Sequence, residues 1–297
     1  MVVYCLQNYQ ISFSFLFVSC LVALSGCSNV PAPSVLAITR PEVTKLYIEV
    51  DYENGAKPYV NLSDVGADLE LVQENLDVLF AASGKQVIAE TDVDDMENIG
   101  EIEGETFTST QLLEISNRHR TFVEDVTSTS IHIMFIDGFF RDEKKDVEVQ
   151  EGVVGVTIGD GGTIAIFKPV IAQMDRSQSE TGTLLQRYVE QSTILHEFGH
   201  AVGLVENGIP AINDHHDDCE ECDEEEAKER SGHCENPNCV MYYQNSGGLG
   251  FENFRFQVRF FQGDDASQRF LLFDDDCQLD LQTALRGEQG EDEDDAS

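Results

Sequence analysis

Residues 196–203 read His196-Glu197-Phe198-Gly199-His200-Ala201-Val202-Gly203. On a helix, positions i and i+4 share a face, so His196 and His200 can both reach one metal ion. Glu197 then lies beside that ion, where a carboxylate can take a proton from bound water. The surroundings predict the helix. From Thr183 to Leu204, residues Leu184, Tyr188, Leu195, Phe198 and Val202 form one apolar stripe at helical spacing. His196 and His200 fall off the stripe, on a face shared with Val189 and Thr193. Gly203 suits a helix C-terminus, where the chain often needs a positive φ. The pattern predicts metal-dependent hydrolysis of peptide bonds. A zinc ion would lower the pKa of bound water toward ~7 and polarise the carbonyl, and Glu197 would move the proton to the leaving amine.

A catalytic zinc takes three protein ligands and keeps one position open. Three residues compete for third place: His233, which opens His233-Cys234-Glu235-Asn236-Pro237-Asn238-Cys239-Val240-Met241; His215, beside His216 in an acidic loop; and Glu206, ten residues after His196.

His233-Cys234, four residues, Cys239, one residue and Met241 resemble the H-C-x4-C-x-M signature of archaemetzincins. His196-Glu197-x-x-His200-x-x-Gly203 is similar to the half that precedes it in that family. In the family the halves are contiguous; here the 29 residues Leu204–Gly232 separate them and read as an insertion, 204–232. The likeness covers residues 180–245. It implies Zn2+ held by His196, His200 and His233, with His215 and Glu206 as alternative third ligands. It also implies Glu197 as general base and Met241 as the turn beneath the metal. The implied fold is α+β: a metzincin-like (zincin) domain with a twisted mixed sheet, a zinc-binding active-site helix and a Met-turn, spanning 41–287. Tyr242 and Tyr243 are candidate oxyanion donors, although packing is the simpler role.

Upstream, Lys45–Tyr52 (KLYIEVDY) alternates as a half-buried strand does, and Leu69–Phe80 reads as an amphipathic helix. Gln86–Thr91 reads as a strand, Thr110–Arg120 as a helix and Ile131–Ile136 (IHIMFI) as an inner strand. Val153–Ile158 and Thr163–Phe167 (TIAIF) flank a glycine turn and predict a hairpin. TIAIF is the candidate edge strand for pairing with an extended peptide. Leu279–Leu285 reads as a short closing helix, and the aromatic stretch 246–273 as cleft wall or core.

The insertion concentrates ligand types. Cys219 and Cys222 form a CxxC, and Cys234 and Cys239 follow. These four could build a structural zinc site. Archaemetzincins carry a second zinc on cysteines, using a CxxC after the Met; here that segment is Cys277-Gln278-Leu279-Asp280, so the site is altered or absent. Five cysteines (219, 222, 234, 239, 277) admit two disulfides and a free thiol, or a zinc and a spare. An exported chain favours disulfides. His215, Asp217 and Asp218 could hold another metal, although a solvated acidic loop is the simpler reading.

The apolar run Ile11–Leu24 ends in Leu24-Ser25-Gly26-Cys27, which resembles a bacterial lipobox. Residues 1–26 then read as a signal peptide, Cys27 as the lipidated residue and 27–40 as a tether, although 1–26 hold no Lys or Arg. The expected address is the bacterial cell envelope, most simply the outer membrane, with membrane contact through the lipid. Acidic residues number 56 against 18 basic, a net charge of −38, which excludes a nucleic-acid partner. Residues 288–297 read as a disordered acidic tail. The expected partner is a peptide or protein substrate. The alternative is a non-catalytic envelope lipoprotein that keeps a degenerate metal site. Intact Glu197 argues against it, because a structural zinc has no use for that carboxylate.

Overall fold

The computed structural model describes residues 35–60, 67–122, 124–143, 149–159, 161–174, 180–217, 219, 222–224, 227, 230–243 and 272–287. The signal segment 1–26, Cys27, most of the tether, Asp218, the tail 288–297 and nearly all of 246–273 lie outside them. Among the described residues, no helix is long and apolar enough to cross a membrane.

The main sheet runs in the order β2 (Gln86–Ala89), β1 (Lys45–Tyr52), β5 (Ser128–Ile136), β9 (Thr163–Phe167), β8 (Gly155–Ile158). A short β3 (Glu97–Asn98) also pairs with β1, and a smaller sheet joins β4 (Thr106–Phe107), β6 (Phe139–Arg141) and β7 (Val149–Gln150). Pairings along β2-β1-β5-β9 are parallel; the β8–β9 hairpin is antiparallel. The fold is thus a mixed α/β arrangement. Every residue of β5 and of β9 is buried, which requires cover on both faces of the sheet.

This corrects the edge assignment. TIAIF pairs with β5 on one side and β8 on the other, so it is interior; on that side of the sheet the edge among the described residues is Gly155–Ile158. A continuous apolar run is the mark of a strand covered on both faces. The half-buried Val156 and Thr157 of β8 are the rim pattern.

The helices are α1 (Glu70–Phe80), α2 (Ser109–His119), α3 (Lys168–Gln173), α4 (Glu180–Val202) and α5 (Asp275–Arg286). Thr108 and Gln111 form a capping box at the start of α2, and Asp274 accepts from Cys277 N–H at the start of α5. α4 packs against α1, β8 and β9. The sequence predicts one apolar stripe on α4, but from Tyr188 to Gly199 the helix is buried all round. Several of its polar residues are paired with other elements. Glu190 forms a buried ion pair with Lys168 and accepts Tyr59 N–H at 2.9 Å. Gln191 accepts from Leu71 N–H at 2.9 Å and donates to the Asp68 carbonyl at 3.1 Å. Leu69, the N-cap of α1, offers no side-chain bond, so Gln191 satisfies backbone groups that α1 leaves open. These links fix the rotation of α4 before its last two turns, which carry the site.

Candidate metal centre

His196, Glu197 and His200 occupy the last two turns of α4, and Gly203, at φ +87°, ends it. His233 arrives from the far side of the insertion. The three imidazoles each offer a nitrogen within 4.8 Å of the others. His196 Nε2 and His200 Nε2 are 3.1 Å apart, and the His233 ring lies 5.3 Å from His196 and 4.9 Å from His200 between centroids.

The loop that carries His233 is held by its own backbone. Cys234 N–H donates to the Met241 carbonyl and Tyr242 N–H to the Cys239 carbonyl, while Val240 N–H donates to the Leu272 carbonyl. Met241 is fully buried beneath α4. A Cβ at Gly199 would run into Met241 Sδ, so the glycine inside the HExGH run is what lets the methionine seat there. The neighbouring Val240 carbonyl accepts from His196 Nδ1 at 2.7 Å. A carbonyl only accepts, so Nδ1 carries the proton and Nε2 presents its lone pair to the other rings.

Electrostatics agree. Burial, with the adjacent His233, holds His196 down at about 3. Burial and both neighbouring rings hold His200 well below the usual range. His196 and His200 are therefore held neutral, which is the form that binds a metal. Glu197 is buried, and Thr157 Oγ1 donates to its Oε2 at 2.7 Å. Burial pushes its carboxyl up to about 7 against the pull of that bond, in the range a proton-transfer group needs. Zinc fits this donor set: three nitrogen ligands, one ring orientation fixed from behind, and a carboxylate adjacent in sequence.

The alternative third ligands do not join the group. Glu206 is exposed, with φ +59°, and lines a separate cavity of about 480 Å³ with Asn207, His216, Asp217, Cys219 and Gly232. His215, expected in a solvated acidic loop, is buried elsewhere. Its Nε2 lies 2.7 Å from Asp280 Oδ2, and its Nδ1 lies 3.5 Å from Cys234 Sγ and 4.0 Å from Cys277 Sγ. His215, Cys234, Asp274 and Cys277 form a second ligand-rich cluster within 4.8 Å, and Cys239 Sγ is 3.6 Å from Cys277 Sγ. Burial lowers the His215 pKa, but the bonds to Cys234 and Asp280 outweigh it and lift it to about 9. A metal at Nδ1 would displace that proton and leave Nε2–H on Asp280.

The cysteines therefore sort otherwise than expected. Cys219 and Cys222 are joined by a disulfide across their own CxxC, while Cys234, Cys239 and Cys277 are buried thiols outside that disulfide. The disulfide takes up two of the four sulfurs of the set Cys219, Cys222, Cys234 and Cys239. Tyr243 packs its ring under Arg230, whose guanidinium also donates to the Tyr243 hydroxyl at 3.1 Å. Sequence reading missed Thr157, Gly199, Asp274 and Asp280. Only Gly199, inside the motif, carried a local signal.

No protein-family profile matches the chain, and no curated protein matches it. Among solved structures, it is similar to a zinc-dependent peptidase from Methanocorpusculum labreanum (strain Z), with 13% identity over 80% of this chain and 99% of that one, at a TM-score of 0.37. A likeness that distant carries no argument about this chain.

Proposed function

We propose that the chain is a zinc-dependent endopeptidase of metzincin type, with His196, His200 and His233 as the zinc ligands. The observation that carries this reading is the convergence of those three imidazoles, two of them held neutral by burial, beside a buried carboxylate. Bound there, zinc supplies a Lewis acid and an acidified water. The protein's own groups do the rest. Val240 orients His196 through Nδ1. Met241 supports α4 from below at Gly199. Glu197 accepts a proton and returns it to the leaving amine. Tyr242 and Tyr243 have packing roles.

The second cluster reads as a structural zinc on His215, Cys234, Asp274 and Cys277, with Cys239 Sγ beside Cys277 Sγ and Asp280 orienting the histidine from behind. An all-protein ligand set is what a closed structural site uses. On this reading the insertion is not an interruption: it delivers His215 to the core. The envelope address, through lipidation at Cys27, belongs to the same proposal and rests on the lipobox alone.

The test combines metal analysis with cleavage of an unstructured protein such as casein. The purified chain is expected to hold two zinc equivalents and to cleave. Glu197→Ala is expected to keep both and to lose roughly 10²–10⁴-fold in rate, the usual worth of a general base. Cleavage at the wild-type rate by that variant would overturn the reading.

A further inference from the structure

We propose that Thr157 is a positioning residue that holds the Glu197 carboxylate in its working orientation; this rests on the reading of Glu197 as the proton-transfer group. Gly155 and Thr157 stand two apart on β8 and so point to the same face. That face meets α4. A Cβ at Gly155 would lie 2.6 Å from Thr193 Cγ2 and 3.1 Å from Glu197 Cγ. Thr193 and Glu197 are themselves i, i+4 neighbours on the helix. The bare backbone at Gly155 thus lets the edge strand close on α4, and the next side chain on that face is a hydroxyl that reaches the carboxylate.

The contact is specific in its geometry. Thr157 Oγ1 lies 2.7 Å from Glu197 Oε2 and 2.8 Å from the Glu197 main-chain carbonyl. The hydroxyl has a single proton, which the backbone oxygen and one carboxylate oxygen share. The Thr157 backbone N–H also acts on that carboxylate, so both of its contacts come from this one residue of β8. Branching at Cβ restricts the threonine to few rotamers, which keeps the hydroxyl aimed. Valine has the same shape and no hydroxyl; serine has the hydroxyl and more rotamer freedom.

The experiment uses the full zinc-loaded chain as Thr157→Val and Thr157→Ser. Thr157→Val is expected to keep its zinc stoichiometry and its KM while kcat falls about 10–100-fold, a part of what a general base contributes. Thr157→Ser is expected to recover most of that loss. A readout independent of activity is thermal unfolding of the metal-free protein in a cycle with Glu197→Ala. Thr157→Val should lower Tm by about 2–4 °C when Glu197 is present and by clearly less in the Glu197→Ala background. A valine variant with wild-type kcat, or equal Tm losses in both backgrounds, overturns the proposal. An inactive wild type would instead sink the peptidase reading, and the thermal cycle would still decide whether Thr157 holds Glu197.

Discussion

Of the histidine constellations among the described residues, the one in the sheet and the one at the end of α4 differ most in what their ring nitrogens are given to do. In the sheet, Asp51 Oδ2 lies 2.8 Å from His132 Nε2, and His132 Nδ1 lies 2.9 Å from Ser116 Oγ. By residue type this is a Ser-His-Asp arrangement of the sort that activates a nucleophile. Yet Ser116 and His132 have no exposed surface, and Asp51 is 1% exposed. Both ring nitrogens of His132 are engaged, and Ser116 Oγ is also 3.0 Å from Thr163 Oγ1. The network ties β1, α2, β5 and β9 together and is buried away from substrate. At the end of α4, by contrast, His196 uses one nitrogen on a backbone carbonyl and turns the other toward two more imidazoles. Residue types alone do not make a site; unspent valence and access do.

That contrast can be broken from either side. The largest effect is expected from His233→Ala, which should remove one zinc equivalent and abolish cleavage while the second equivalent stays. Metal analysis of the purified variant checks this, and two retained equivalents would remove His233 from the ligand set. Asp51→Ala should do the reverse. It leaves a buried His132 nitrogen without its acceptor, at a cost of about 1–3 kcal/mol, with zinc content and kcat unchanged; urea unfolding and metal analysis read the two halves. Ser116→Ala should be the mildest, about 1 kcal/mol for one buried hydrogen bond, again at wild-type kcat. Loss of cleavage in that variant would mean that the sheet network takes part in the chemistry.

What was legible in the sequence was local. The HExxH spacing fixes a helix face by itself, and KLYIEVDY alternates along its length, so α4 and β1 were readable as elements without partners, whereas the burial of Glu49 and Asp51 on the polar face of β1 was not. Thr108 and Gln111 sit three apart, and their capping box places the start of α2 close to where periodicity does. The misreadings all turn on distant pairings. Whether TIAIF is an edge depends on β5 lying beside it, which nothing within five residues reveals. His215 looks solvated among Asp214, His216 and Asp217 because its partner, Asp280, lies 65 positions downstream. The same holds for the cysteines: the CxxC of the insertion closes on itself, and Cys277 is brought to Cys239 by α5. The family resemblance bridged part of this gap, since it put His233 and Met241 forward across the insertion.

The central claim is that His196, His200 and His233 grip one zinc. Anomalous scattering at the zinc edge, from crystals of the zinc-loaded protein, tests it most directly. The expected result is a peak about 2.0–2.1 Å from one nitrogen of each ring, separate from any peak among Cys234, Cys239 and Cys277. Density only at the thiol cluster, with the three imidazoles bare, would contradict it.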